Sequence, residues 1–196
     1  MKKIFSLSVA IALSLLSPRR ATAAPARVHM ILWNGCEEAC RGFIDYLQSV
    51  RLPVDITRRD LKKNTRDVPE LIKEVKRIKP DLLVTWGTMA TLEMLGTENG
   101  ADGTRYGGMP ALFMVVSQPV ESGLVSSLSA QGRNITGVTH LPDLYEQLQS
   151  ARRILPFKRL GVIYNPAETN ARAAVSGLKK YADVMRFELI ARPVPA

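Results

Sequence analysis

From Arg27 onward, short apolar runs alternate with segments whose apolar positions recur every three or four residues. This alternation predicts parallel βαβ units. The run RVHMILW (27–33) reads as a strand, followed by a helix over about residues 37–50 with Cys40, Phe43, Ile44 and Leu47 on one stripe. PVDITRR is a second strand. Asp67-Val68-Pro69 then opens a helix with its proline in the first turn and Val68, Leu71, Ile72, Val75 and Ile78 facing inward. DLLVTW is a third strand, apolar enough to be covered on both faces, and ATLEML a third helix. Five glycines in residues 96–109 mark a surface loop. A fourth strand, ALFMVVS, ends at Gln118-Pro119, and a short helix near SGLVSSL leads into NITGVTHL.

Beyond His140 the pattern restarts. Pro142-Asp143 precedes a helix with Leu144, Leu148, Ala151 and Leu155 inward. The strand RLGVIYN, a long helix with Ala171, Ala174, Val175, Leu178 and Met185 on one face, and the strand-like run FELIARPV follow. The expected organisation is α/β in two lobes, residues 25–138 nearly whole and residues 139–196 begun but not finished.

The first 24 residues change the picture of charge and location. Lys2 and Lys3, an apolar run over residues 4–16 and the small-residue string Ala21-Thr22-Ala23-Ala24 read as a secretory signal with its cleavage site. The run is shorter than the roughly 20 residues that cross a bilayer, so a soluble, exported mature protein is expected. Loss of Lys2, Lys3, Arg19 and Arg20 takes the formal charge from +9 to +5. Bases and acids interleave, as in ELIKEVKRIK, which describes a solvated helix face rather than a nucleic-acid stripe. Cys36 and Cys40 are read as buried structural thiols: no further metal ligands lie nearby, and pairing inside one helix would be strained. The glycine-rich phosphate loops, the H-E-x-x-H zinc motif and the G-x-S-x-G nucleophile turn are all missing from the sequence. An enzyme is therefore not expected, nor are a cofactor or a metal.

In open parallel sheets, ligands bind beyond the carboxyl ends of strands. The informative residues are then Trp33, Asn34 and Gly35, Gly87 and Thr88, Ser117 and Gln118, and Tyr164 with Asn165. Thr88 suits the N-cap of its helix, and Gly87 lets backbone approach a ligand. A second polar strand end, at Ser117 and Gln118, favours a binding rim over a simple cap. Trp33 and Tyr164 fit partial burial at a sheet edge and stacking on a ligand equally well.

The segments PDLLVTWGTMAT, PALFMVVSQPVESGLVSSLSAQGRNITGVT and ILPFKRLGVIYNPAETNA, in this order, resemble the periplasmic substrate-binding proteins of ABC transporters whose characterised members take up aromatic and other amino acids. The resemblance covers about residues 27–196. It implies a type I periplasmic-binding-protein fold, with a parallel sheet between helices in the first lobe and a ligand enclosed between two lobes. Gly87, Thr88, Ser117 and Gln118 would supply first-lobe contacts, and Asn165, Thr169 and Asn170 second-lobe contacts. Residues 136–139 would begin the hinge, with Thr139 among the contacts. Family members commonly carry Asp-Pro-Val where this chain has Gln118-Pro119-Val120, and the amide removes a carboxylate partner for a ligand ammonium. The family's second lobe continues past Ala196, which implies a truncated product or a fragment. The implied role is a monomeric periplasmic component that binds a small amino-acid-like or carboxylate ligand and docks transiently on an inner-membrane permease. A ligand sensor acting through a signalling partner is the alternative on the same fold, with an exported enzyme third.

Overall fold

The protein is described by a computed structural model covering residues 24–100, 105–129 and 132–194. The signal reading of residues 1–24 therefore lies outside the described residues, Ala24 excepted, as does the centre of the glycine-rich loop. The strands are β1 (Ala26–Leu32), β2 (Val54–Asp60), β3 (Leu82–Trp86), β4 (Ala111–Met114), β5 (Ile135–Val138), β6 (Arg159–Tyr164) and β7 (Glu188–Pro193). The helices are α1 (Glu38–Ser49), α2 (Val68–Ile78), α3 (Thr88–Leu95), α4 (Leu144–Ile154) and α5 (Thr169–Met185). Among the described residues no helix is long and apolar enough to cross a membrane.

The first five strands form one parallel sheet in the order β2-β1-β3-β4-β5. Period-2 geometry sends alternate residues of each strand to opposite faces. Ile31, Leu83, Ala111, Phe113 and Ile135 therefore pack against α2 and α3 through Val68, Leu71, Val75, Ala90 and Met94. Met30, Leu32, Val84 and Trp86 face the other way, onto Cys40, Phe43 and Ile44 of α1. Helices thus cover both faces, which is why β1 and β3 read as nearly unbroken apolar runs. At the carboxyl end of α3, Arg133 donates to the carbonyls of Leu95 and Gly96 and lies 5.4 Å above the Tyr106 ring, satisfying helix acceptors that have no partner within the helix.

The last two strands pair in parallel as a separate sheet. Leu148, Leu178, Ala182 and Phe187 form its core, with Leu160, Val162 and Leu189 packed against them. Asp143 caps α4, its carboxylate accepting from the Tyr145 and Glu146 amides at 2.8 and 3.4 Å. The opposite face of β6 shows Ile163, 76% exposed.

Several expectations are corrected. The helix expected near SGLVSSL is a turn: Leu124 and Val125 both donate to the Pro119 carbonyl, and Gly123 sits at φ +74°. Strand β4 stops at Met114 because Val115 takes a positive φ of 57°, which turns the chain before Ser117. Leu155 is exposed rather than inward, since it adopts extended backbone and leaves the helical stripe, and Ala151 is exposed as well. Cys36 and Cys40 are joined in a disulfide instead of standing as free thiols. The strain expected of a pair within one helix does not arise, because α1 begins at Glu38 and Cys36 belongs to the preceding loop.

Candidate functional site

The carboxyl ends of β1, β3 and β4 meet at one rim, held there by backbone bonds that extend the sheet beyond its strands. The Trp33 amide donates to the Trp86 carbonyl at 3.1 Å, and the Gly87 amide to Met114 at 2.9 Å. Gly87 sits at φ +93°, ψ 148°, a conformation open almost only to glycine, and a Cβ placed there would lie 3.1 Å from Trp33 Cβ. The glycine at the joint is thus required by its dihedrals and favoured by the close approach of the Trp33 Cβ.

Gly87, not Thr88, is the N-cap of α3, which corrects the capping expectation. Thr88 is buried in the first turn, and its hydroxyl accepts from the Ser117 amide at 3.4 Å. That contact, with the Thr139 hydroxyl donating to the Ser117 carbonyl at 3.3 Å, fixes the loop after β4 against α3 and the segment after β5.

Two cavities open between this rim and the second unit. One, of about 410 Å³, is walled by Trp33, Asn34, Trp86 and Gly87, and Glu168 from the start of α5 closes its far side. Glu37 and Lys63 bring charge of both signs to it. The Glu37 carboxylate accepts from the Trp86 indole N–H, and the Lys63 amide donates to the Trp33 carbonyl at 2.8 Å. The other, of about 470 Å³, places Ser117, Gln118 and Thr139 opposite Gly177, Lys180 and Tyr181 of α5. Gln118 Oε1 is buried there without a hydrogen-bond partner. An acceptor so placed is costly unless something donates to it.

Of the residues expected at the site, Trp33, Asn34 and Gly87 come together at the first cavity, and Ser117, Gln118 and Thr139 at the second. Thr88 lies between the two groups as a buried strut. Asn165, Thr169 and Asn170 line neither cavity. Asn165 Oδ1 accepts from the Ala167 amide at 2.9 Å, and the Thr169 hydroxyl accepts from Arg172 at 3.1 Å, so both serve their own turn. Glu37, Lys63, Glu168, Lys180 and Tyr181 were missed. Their only signal was a charged or polar group in a loop, beside a helix start or on a helix face, indistinguishable in sequence from solvated positions. A further concavity, about 640 Å³ between β2 and α2, holds none of the expected residues and is walled by charges such as the Arg59–Glu74 pair at 2.9 Å. Among the described residues no group of three or more His, Cys, Asp or Glu could hold a metal ion.

Two groups with displaced proton affinity lie away from the rim. Backbone and side-chain hydrogen bonds from Arg27 hold the exposed Asp81 carboxyl below its ordinary value. His29 is buried on β1 with Nδ1 2.6 Å from the Thr57 hydroxyl. Nε2 is buried without a hydrogen-bond partner. Burial lowers the His29 pKa below 6.5 and Arg59 adds to this, against the opposing attraction of Glu74. Between the two pKa values the unfolded chain binds more protons, so stability is full above pH 6.5 and declines as pH falls below it. Urea midpoints measured across that range are expected to drop on acidification, and His29→Gln to flatten the profile.

A family model described as ABC transporter substrate binding protein matches residues 28–196. The chain belongs to the ABC transporter substrate-binding protein family. This substrate-binding-protein chain is 32% identical over 87 residues to a tyrosine-binding protein of Clostridioides difficile, covering 44% of the chain and 25% of that relative. Its fold is shared by a conserved domain protein of Vibrio cholerae, with TM-score 0.69 and 23% identity over 86% of the chain and 57% of the other. It is shared equally by an ABC domain from Streptococcus pneumonia in complex with L-Trp, with TM-score 0.69 and 20% identity over 88% and 58%. The substrate-binding-protein chain thus spans a quarter of the curated relative and a little over half of these solved structures. The fold is that of type I periplasmic binding proteins, with a parallel sheet between helices.

Proposed function

We propose that the chain is the solute-binding component of an ABC transporter: it takes a small amino-acid-like or carboxylate ligand between its two α/β units, transforms nothing, and delivers the ligand to a membrane permease from the periplasm. The observation that carries this reading is the pair of cavities between the carboxyl-end rim and α5, each walled from both sides. A ligand there touches both units at once, so binding favours the closed arrangement over the open one. Gln118 and Lys180, which both line the second cavity, suit a ligand that carries a hydrogen-bonding and an anionic group. Tyrosine in the name of one relative and L-Trp in one structural neighbour make aromatic amino acids the first compounds to try. Residues 25–138 and 139–196 are the proposed units, with the segment near Thr139 as the hinge.

Thermal unfolding with L-tyrosine, L-tryptophan and aromatic carboxylates tests the reading. A compound at a hundred times its dissociation constant is expected to add about 2.7 kcal/mol to a cooperative transition. Gln118→Ala combined with Lys180→Ala is expected to remove that gain while leaving the ligand-free transition in place. A transition that no compound moves would sink the proposal.

A further inference from the structure

The disulfide between Cys36 and Cys40 sits where it can control the cleft. Cys40 is fully buried in α1, among Met30, Leu32, Val84 and Trp86. Cys36 is half-buried, in the loop that runs from β1 to α1. That loop, residues 33–37, contributes Trp33, Asn34 and Glu37 to the first cavity. Trp33, at its start, is held by backbone bonds to Trp86 and Lys63, and the rest of the loop has few ties besides the disulfide. The Gly35 amide donates to Asp60 Oδ1 at 3.0 Å, Arg41 Nη1 donates to the Cys36 carbonyl at 3.0 Å, and Glu37 accepts from the Trp86 indole. Glu37 caps α1 by position only, since its side chain makes no capping hydrogen bond. The covalent link to a fully buried residue is therefore the firmest anchor of residues 34–37, the part of the wall beyond Trp33.

We infer that the Cys36–Cys40 disulfide is a redox-sensitive latch that positions the Trp33, Asn34 and Glu37 wall of the cleft. Its effect on a ligand rests on the solute-binding reading; its effect on the wall does not. Opening takes a dithiol reductant. One thiolate of the dithiol attacks the sulfur of Cys36, the less buried of the two cysteines, the S–S bond breaks, and Cys40 leaves as a thiolate that takes up a proton. The second thiolate of the dithiol then attacks its own sulfur in the mixed disulfide, releasing Cys36, which is protonated in turn. The protein gains two electrons and two protons, and the dithiol becomes a disulfide. Cys40 stays in the apolar cluster, whereas the loop loses its tether, and the Trp33 side chain gains freedom while its backbone stays bonded to Trp86 and Lys63.

Trp33 and Trp86 are the chain's two tryptophans, and both border this loop, so intrinsic fluorescence reads the wall directly. The test compares the oxidised full chain, the same protein treated with dithiothreitol, and Cys36→Ser, which opens the bond while keeping Cys40 in place. The expected result is a red-shifted emission and a steeper iodide-quenching slope in both opened forms, with far-UV circular dichroism unchanged. In parallel, L-tyrosine affinity measured by calorimetry is expected to fall by roughly tenfold on opening, the cost of ordering about two side chains at binding. Emission and quenching that match the oxidised protein would overturn the latch, as would loss of the dichroism signal, which would make the bond a staple of the whole fold. If oxidised protein binds no L-tyrosine while the fluorescence change occurs, the latch stands and the choice of ligand fails.

Discussion

Gly87→Val is expected to lower the free energy of unfolding by about 2–4 kcal/mol, from backbone strain and overpacking together. The backbone at Gly87 lies at φ +93°, ψ 148°, where a β-branched residue is the least tolerated. Its new Cβ would also stand 3.1 Å from Trp33 Cβ, closer than most such contacts, so the strand end must give slightly. Both consequences fall on the first cavity, whose wall is built from these two residues. Gly35 supplies the control, because it also has a positive φ, 72°, but a Cβ there meets nothing within 4 Å. Gly35→Ala is expected to cost about 1 kcal/mol, from backbone strain alone. Urea unfolding checks both: a lower midpoint at unchanged m-value reports stability, and a changed m-value would mean the compactness of one state has shifted. If Gly87→Val melted like Gly35→Ala, the contact with Trp33 would have no energetic weight.

Gly137→Ala is expected to cost about 3 kcal/mol or more, at the upper end of overpacking effects. Gly137 pairs with Phe113 across β4 and β5, and an added Cβ would collide with both the Phe113 ring and its carbonyl oxygen. A ring can rotate away, but a carbonyl in a ladder cannot, so the two strands must separate. Because β5 is the edge of the sheet, it is the strand that yields. Its displacement would carry Thr139 away from the Ser117 carbonyl, which it now meets at 3.3 Å, and so disturb the second cavity. Pairing Gly137→Ala with Phe113→Leu separates the two collisions. Relief of most of the loss in the double variant would show that the ring, not the backbone, sets the cost.

These two glycines show how unevenly the molecule could be read beforehand. Gly87 stood out because it breaks an apolar run directly before a helical pattern. Gly137 sits inside the strand NITGVTHL and looked like any weak strand position, since its reason is a neighbour 24 positions earlier in the chain. The same contrast runs through the cleft. Trp33, Asn34, Ser117 and Gln118 were legible because they end strands, and strand ends in a parallel sheet share one rim. Asn165 obeyed the same rule yet turned its Oδ1 to its own turn, and Thr169 and Asn170, expected from the family resemblance, line neither cavity. Glu168 beside them, and Lys180 and Tyr181 on the body of α5, face the rim instead.

Local pattern alone determined the alternation of strands and helices, the parallel class of the sheet and the apolar stripes that bury α1, α2 and α3. Those properties depend on side-chain period and on residues close along the chain, so each segment carries its own record. Tertiary structure alone decided that Cys36 and Cys40 pair, that Val115 ends β4, that Thr88 braces Ser117, and which charges of α5 meet the cleft. Each of these depends on where a second segment lies in space. Polar and charged positions are the most ambiguous in sequence, because water satisfies them as well as a partner does; only packing removes the water and makes the choice.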